Sequence, residues 1–430
     1  MPNPRGLIAG VCVLAALGGY AWWSNKHPAA PDASTATPAA PKILTIPADQ
    51  IQTVRVAKTG GDPVILQRTG DGWKVGPLSA DQDAVNSLTG ALSPLTSDRL
   101  IDEHPASLTT FGLDTPGFEV DITTMDGKTQ KVLFGLDTVS GSDTYVKVDS
   151  DPKVYTVFSG TKTSFDKTPN DLRDKRLLTL HQDKITSVTL NAKGAGVEFS
   201  KNAGGEWQIT KPRALRADGP SVDDLVAKLK DAKMDLTATP TAAAFSAAPK
   251  VGSATFVDDK GPQTIEVHAT KDKQYFAKST AVEGIYKVAA EVGTAINKSM
   301  DDFRNKKLFD FGFTDPSKVD LGGKLYEKNG DKWFSGPAQI DPSTIQNVVD
   351  KLRDLTAVKF ADKISGAPAL TIAVTWGDKS KLDKVVINKA GADYIAARDG
   401  DTTGYSLDGK SFDELQKAIS EIKPKADTKK

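Results

Sequence analysis

Three stretches decide the fold: ILTIPADQIQTVRV at 43–56, LLTLHQDKITSVTL at 177–190 and LFDFGFTDPSKVDL at 308–321. Each opens on two apolar residues, passes through a short polar turn and ends in an alternating strand. Such recurrence at long, nearly constant spacing is the mark of an internal repeat, and it sets the architecture before any local propensity does. Downstream of each opening comes a tryptophan after a turn: Trp73 in TGDGWKV, Trp207 in AGGEWQI and Trp333 in NGDKWFS. A residue of this size at one place in three units reads as the anchor of each unit's core.

A helix is expected after each tryptophan. Val85, Leu88 and Leu92 share one face, after a capping box of Ser79 and Gln82. Val222, Leu225, Val226 and Leu229 form the second stripe, opened by Pro220. Ile345, Val348, Val349 and Leu352 form the third, with Asp341 as N-cap and Pro342 in the first turn. Alternating strands follow, through Val120 and Ile122, Ile265 and Val267, and Ile372 and Val374, each hairpin closed by a polar turn. A second helix is expected to close each unit, ending in DLRDKRLL (171–178) and DFRNKKLF (302–309) in the first two. In the third it starts at a capping box of Ser411 and Glu414 and buries Phe412, Leu415, Ile419 and Ile422. Arg173 and Arg304 recur at matching places, where helix capping or ion pairing is the expected role. The reading is therefore an α+β chain of three tandem repeats, each an antiparallel sheet plus two helices, preceded by one transmembrane helix. The units span 43–176, 177–307 and 308–422.

Gly6 to Trp23 reads GLIAGVCVLAALGGYAWW and carries no charge. At about 1.5 Å per residue it forms roughly 27 Å of helix, enough for a bilayer's hydrocarbon core. Tyr20, Trp22 and Trp23 lie at its far end, where aromatic rings favour the interface. Arg5 precedes the run and favours an exported bulk. A cleaved signal peptide is the competing reading, but the bulky aromatic end and the length of the run speak against it. Residues 1–26 are thus expected to be an anchor. Residues 27–42, rich in Ala and Pro, form a solvated tether, and 423–430 a basic disordered tail.

Lys plus Arg total 55 and Asp plus Glu total 55, so no net field draws polyanions, and nucleic acid is not expected as a partner. The one Cys, Cys12, lies in the apolar run, which excludes thiolate zinc sites and a catalytic thiol from the rest of the chain. His27, His104, His181 and His268 have no second His or Cys at ligand spacing, so no metal site is expected. No G-x-S-x-G elbow or G-K-[ST] grip appears. The loop DGDTTGYSLDGK (399–410) has Lys410 where a calcium loop needs a bidentate Glu, so it reads as a turn. No catalytic residue or cofactor is assigned.

The apolar N-terminal run, the D-x-I-x-x-V opening, FGLDTP (111–116), FGLDTVSG (134–141), YVKV (145–148) and LRDKRLL (172–178) together resemble a bacterial family carrying domain of unknown function 4340. The likeness is fullest in the first unit. In the second, Phe303 and Arg304 match Leu172 and Arg173, but no FGLDTP is present. Such proteins are often encoded near ABC-type export and gliding-motility-like auxiliary proteins, which implies an accessory role at an envelope transporter. The expected function is a non-enzymatic, single-pass protein of the bacterial inner membrane with its bulk on the periplasmic side. It would hold the membrane through Gly6–Trp23 and dock a protein partner of the envelope, with ABC-type transporter subunits as the class the resemblance implies. A cell-wall or polysaccharide-binding module is the alternative reading, and an envelope hydrolase with a site between units the third.

Overall fold

The computed structural model describes residues 41–70 and 72–426. The apolar run Gly6–Trp23 and most of the tether lie outside them, as do the last four residues. Among the described residues, no helix is long and apolar enough to cross a membrane. The chain forms three large antiparallel sheets, of nine, eight and nine strands, and one two-stranded sheet. It divides into two compact units, one ending at Asp174 and one running from Lys175.

The expected α+β class, with two helices closing every sheet, is corrected: the described chain is predominantly antiparallel β. Only the first two residues of DLRDKRLL and DFRNKKLF are helical, closing one-turn helices that end at Leu172 and Phe303 rather than a long second helix. Thr168 and Ser299 each start a new, short turn in a capping box with Asp171 and Asp302. The chain before them has only the brief helices Ser159–Phe165 and Ala290–Ile296. Arg173 and Arg304 then lie extended, bridged to Ala80 and Ala217. Main-chain pairing with a distant segment overrides the helix preference of a Lys/Arg/Leu-rich stretch.

All three large sheets share one strand order. In the first, four strands wind outward from the centre: Ile51–Lys58, Val64–Thr69, Gly72–Val75 and Leu78–Ser79. After a helix the chain returns to pair Phe118–Thr124 with Ile51–Lys58, then winds outward the other way through Thr129–Asp137, Asp143–Val148 and Val154–Phe158. The strand Arg99–Asp102, laid down before that return, covers the far edge. Ser187–Ala192 with Lys250–Asp258, and Pro316–Leu321 with Ala367–Trp376, are the equivalent central pairs of the other sheets. In the second sheet the covering strand shrinks to a single bridge, Asp235 to Lys287.

Each sheet lays one face against a helix: α1 (Gln82–Leu92), α2 (Gly219–Lys230) and α3 (Pro342–Asp354). The stripes Val85, Leu88, Leu92; Val222, Leu225, Val226, Leu229; and Ile345, Val348, Val349, Leu352 are all buried. Alternate strand residues meet them, Val54 and Ile122 in the first core, Leu190 and Phe256 in the second, Val319 and Val374 in the third. Each buried Leu or Val contributes on the order of 1.5–3 kcal/mol.

The four long helices are all capped by aspartates, Asp81, Asp218, Asp341 and Asp408. Asp81, not Ser79, caps α1, while the Gln82 side chain turns back to accept from the Trp73 N–H at 3.1 Å. Asp408, not Ser411, caps the final helix, α4 (Gly409–Ser420), and Glu414 pairs with Lys351 at 2.6 Å.

Three of the same aspartates hold the units shut. The N–H of Asp81 donates to the Leu172 carbonyl (2.8 Å), that of Asp218 to Phe303 (2.7 Å) and that of Asp341 to Lys423 (3.0 Å). Lys423 and Lys425, placed by sequence at the start of a solvated tail, therefore belong to this closure, with Lys425 N donating to Gln339 O at 2.9 Å. A matching strap enters each sheet's neighbourhood: Ser97 N to Pro41 O (2.9 Å), Met234 N to Lys175 O (2.8 Å) and Ala357 N to Lys306 O (2.9 Å).

Candidate binding cleft

The second compact unit holds a cleft of about 620 Å³ between elements of the second and third sheets. Two tryptophans define its walls, and each is placed by a hairpin. Trp207 opens the strand Trp207–Lys211 and faces Lys201 across the ladder, with Lys201 Nζ 4.9 Å above the ring. Trp376 ends the strand Ala367–Trp376 and faces Lys381 across a tight turn, with Lys381 Nζ 4.7 Å above the ring. Both indole N–H groups are tied down: Trp207 Nε1 donates to Asp223 Oδ1 (2.8 Å) and Trp376 Nε1 to Asp383 Oδ2 (3.0 Å). Trp207 is buried, whereas Trp376 is half-buried.

The floor is a ladder of charges. Arg216, on the two-residue edge strand Leu215–Arg216, reaches Asp310 Oδ1 at 2.6 Å. Asp310 Oδ2 receives Arg398 Nη2 at 2.6 Å, and the same nitrogen reaches Asp383 Oδ1 at 2.7 Å. Asp383 Oδ2 in turn accepts from the Asp310 N–H at 2.7 Å. Arg216 Nη2 also donates to the Lys307 carbonyl (2.6 Å) and Tyr405 hydroxyl (3.1 Å), and Arg398 Nη1 to the Leu308 carbonyl (2.8 Å). Charges this far out of water persist only when paired and hydrogen-bonded, and here nearly every donor is. The exception is Arg216 Nε, which has no hydrogen-bond acceptor; Asp401 at 3.7 Å offers it charge alone.

Burial works against the Arg216 charge, but Asp310, Tyr405 and Asp401 outweigh it and push its proton affinity up. Burial likewise raises the Tyr405 hydroxyl, helped by its bond to Asp401 and opposed by Arg216. Both groups keep their protons through the neutral range, so the floor is a fixed pattern of donors and acceptors.

The residues singled out by sequence fall elsewhere, apart from Trp207. Trp73, Trp207 and Trp333 are only 4, 6 and 4% exposed and belong to the three cores. That leaves little ring surface for stacking. Arg304 is buried: Nη1 pairs with Asp301 at 3.0 Å, Nη2 donates to Thr403 Oγ1, and the guanidinium lies over the Phe360 ring. Arg173 lies in the bridge to Ala80. Sequence reading did not single out Arg216, Asp310, Asp383, Arg398 or Trp376. A signal existed in departures from the repeat, since Arg216 stands where hydrogen bonding places Ser79 and Gln339 in the other units.

Among the described residues, His181, Asp258 and Asp259 bring ligand-type atoms within 4.8 Å of one another. His181 Nδ1 lies 2.9 Å from Asp259, while both Asp258 oxygens accept main-chain N–H groups, of His181 and Lys260. The hydrogen bonds account for this cluster as the lock of a hairpin turn.

A family model described as a domain of unknown function, DUF4340, matches residues 75–208 and again residues 207–383. No curated protein and no solved structure gives a significant match.

Proposed function

We propose, for a chain that belongs to the DUF4340 family, a role as a non-catalytic scaffold on the extracytoplasmic side of a bacterial inner membrane. In this reading residues 6–23 anchor the chain and the sheets dock a protein partner, with ABC-type transport subunits as the expected class. The observation that carries it is the triplicate design: one strand order, one helix placement and one closing hydrogen bond, repeated with a separate core each time. Repetition of a rigid unit enlarges a docking platform, whereas a single chemical step gains nothing from it. The exposed Leu136 and Phe158 of the first sheet, with Val139 in the turn between two of its strands, offer apolar surface to such a partner.

Photo-cross-linking of the full chain in its native membrane, followed by identification of the adducts, tests the proposal. Transporter subunits among the adducts support it. Repeated recovery of no protein partner, with cross-linkers on all three sheets, overturns it.

A further inference from the structure

We propose that the cleft between Trp207 and Trp376 binds a short, uncharged oligosaccharide, with a pyranose ring laid against Trp376. This goes beyond docking a protein partner and does not depend on it.

The argument proceeds by elimination on the cleft's chemistry. Its fixed charges cancel: Arg216 and Arg398 are matched by Asp310 and Asp383, and Lys201 and Lys381 by Glu206 and Asp223 at the rim. A strongly anionic or cationic ligand would meet as many like charges as opposite ones, with no net field to hold it. An apolar ligand would strip water from walls dense in carboxylate, guanidinium and amide groups without replacing their hydrogen bonds. A polyol meets neither objection. Each hydroxyl both donates and accepts, so it can satisfy a carboxylate on one side and an N–H on the other.

Groups remain for it to use. The Gln208 side chain lines the cleft and makes no hydrogen bond among the described residues, and Asp223 commits only Oδ1 to Trp207. With its N–H held by Asp383, Trp376 is fixed in orientation, and its half-buried ring offers an apolar face to the C–H side of a sugar. Lys381, exposed and without an ion-pair partner among the described residues, covers that ring only through a flexible chain and can swing aside. The volume lies within the range of about 300–1,000 Å³ typical of small-ligand sites.

The test is calorimetric titration of the full chain in detergent with a β-1,4-linked N-acetylglucosamine tetrasaccharide, with cellotetraose, and with tetra-alanine. One or both sugars should bind one-to-one. Trp376→Ala should weaken binding about tenfold, while Trp376→Phe, which keeps a ring but loses the N–H, should stay within about threefold. Gln208→Ala should weaken it as well, and it leaves the fold's hydrogen bonds intact if Trp376→Ala proves unstable. Three outcomes overturn the proposal: neither sugar binds at about 10 mM, tetra-alanine competes for the same site, or sugar binding is indifferent to both Trp376→Ala and Gln208→Ala.

Discussion

Arg216 and Asp310 meet at 2.6 Å, one on the outermost strand of the second sheet and the other on the segment entering the third. The pair is how two sheets that are built alike become joined unlike. Arg216 is the member with no counterpart in the other units, and Asp310 also serves Arg398.

Removing Arg216 should therefore leave Asp310 still paired with Arg398, while removing Asp383 leaves Arg398 only Asp310 among carboxylates and also orphans the Asp310 N–H and the Trp376 indole N–H. Arg216→Ala is expected to destabilise the second compact unit by about 2 kcal/mol, and Asp383→Ala by about 3–5 kcal/mol. Urea unfolding followed by Trp fluorescence reads both. Equal losses for the two variants would contradict the ladder arrangement.

The two FGLD motifs of the first unit pack against each other through their glycines. A Cβ on Gly135 would collide with the Phe111 carbonyl, and one on Gly112, whose φ is +64°, would meet the Leu136 side chain. Gly135→Ala should cost about 1–3 kcal/mol, because a main-chain atom must move to admit the methyl. Gly127→Ala, at φ +82° in an open turn, should cost less. Thermal midpoints of the two variants give the comparison.

Asp218 caps α2 with its side chain and closes the unit with its main chain. Asp218→Asn keeps both roles, and Asp218→Ala keeps only the second. The expected loss for the alanine variant is about 1 kcal/mol, with the asparagine near wild type. Hydrogen exchange at Ser221, whose N–H the cap receives, should speed up in the alanine variant alone.

Asp235 is held down to about 2 by the Thr237 hydroxyl and N–H and by Lys287. A carboxyl depressed in the folded state favours folding above its unfolded value, near 4, and loses that contribution as pH falls through about 2. The urea midpoint of Asp235→Asn should thus fall less steeply than the wild type's between about pH 4 and 2, with Asp258, Glu266 and the other depressed carboxylates of this unit keeping the rest of the decline. Parallel declines would show that Asp235 is not a source of the acid sensitivity.

Much of the packing is legible in the sequence because it is periodic. The stripe Ile345, Val348, Val349, Leu352 can bury only one way, and alternation through Ile372 and Val374 names the inward face of its strand. What escapes is settled by partners far along the chain. The stretch around Arg173 reads as helix until Ala80 claims its main chain, and Ser79 reads as a cap until it proves to be strand. The cleft floor is the extreme case. Arg216, Asp310 and Arg398 come from three separate segments, each an ordinary surface charge in its local sequence. Only the one-off substitution of Arg for Ser or Gln at a repeated position marks it.

The bond from each capping aspartate to the last stretch of its own unit also sets a timetable. The carbonyls of Leu172 and Phe303 are the final pieces that Asp81 and Asp218 wait for, and neither comes from a later repeat. A chain emerging N-terminus first can finish one sheet while the next is still being made, so the order of synthesis becomes the order of assembly. A nascent chain halted shortly after Asp174 has all the parts of its first sheet, whereas one halted before Leu172 lacks the residue that shuts it.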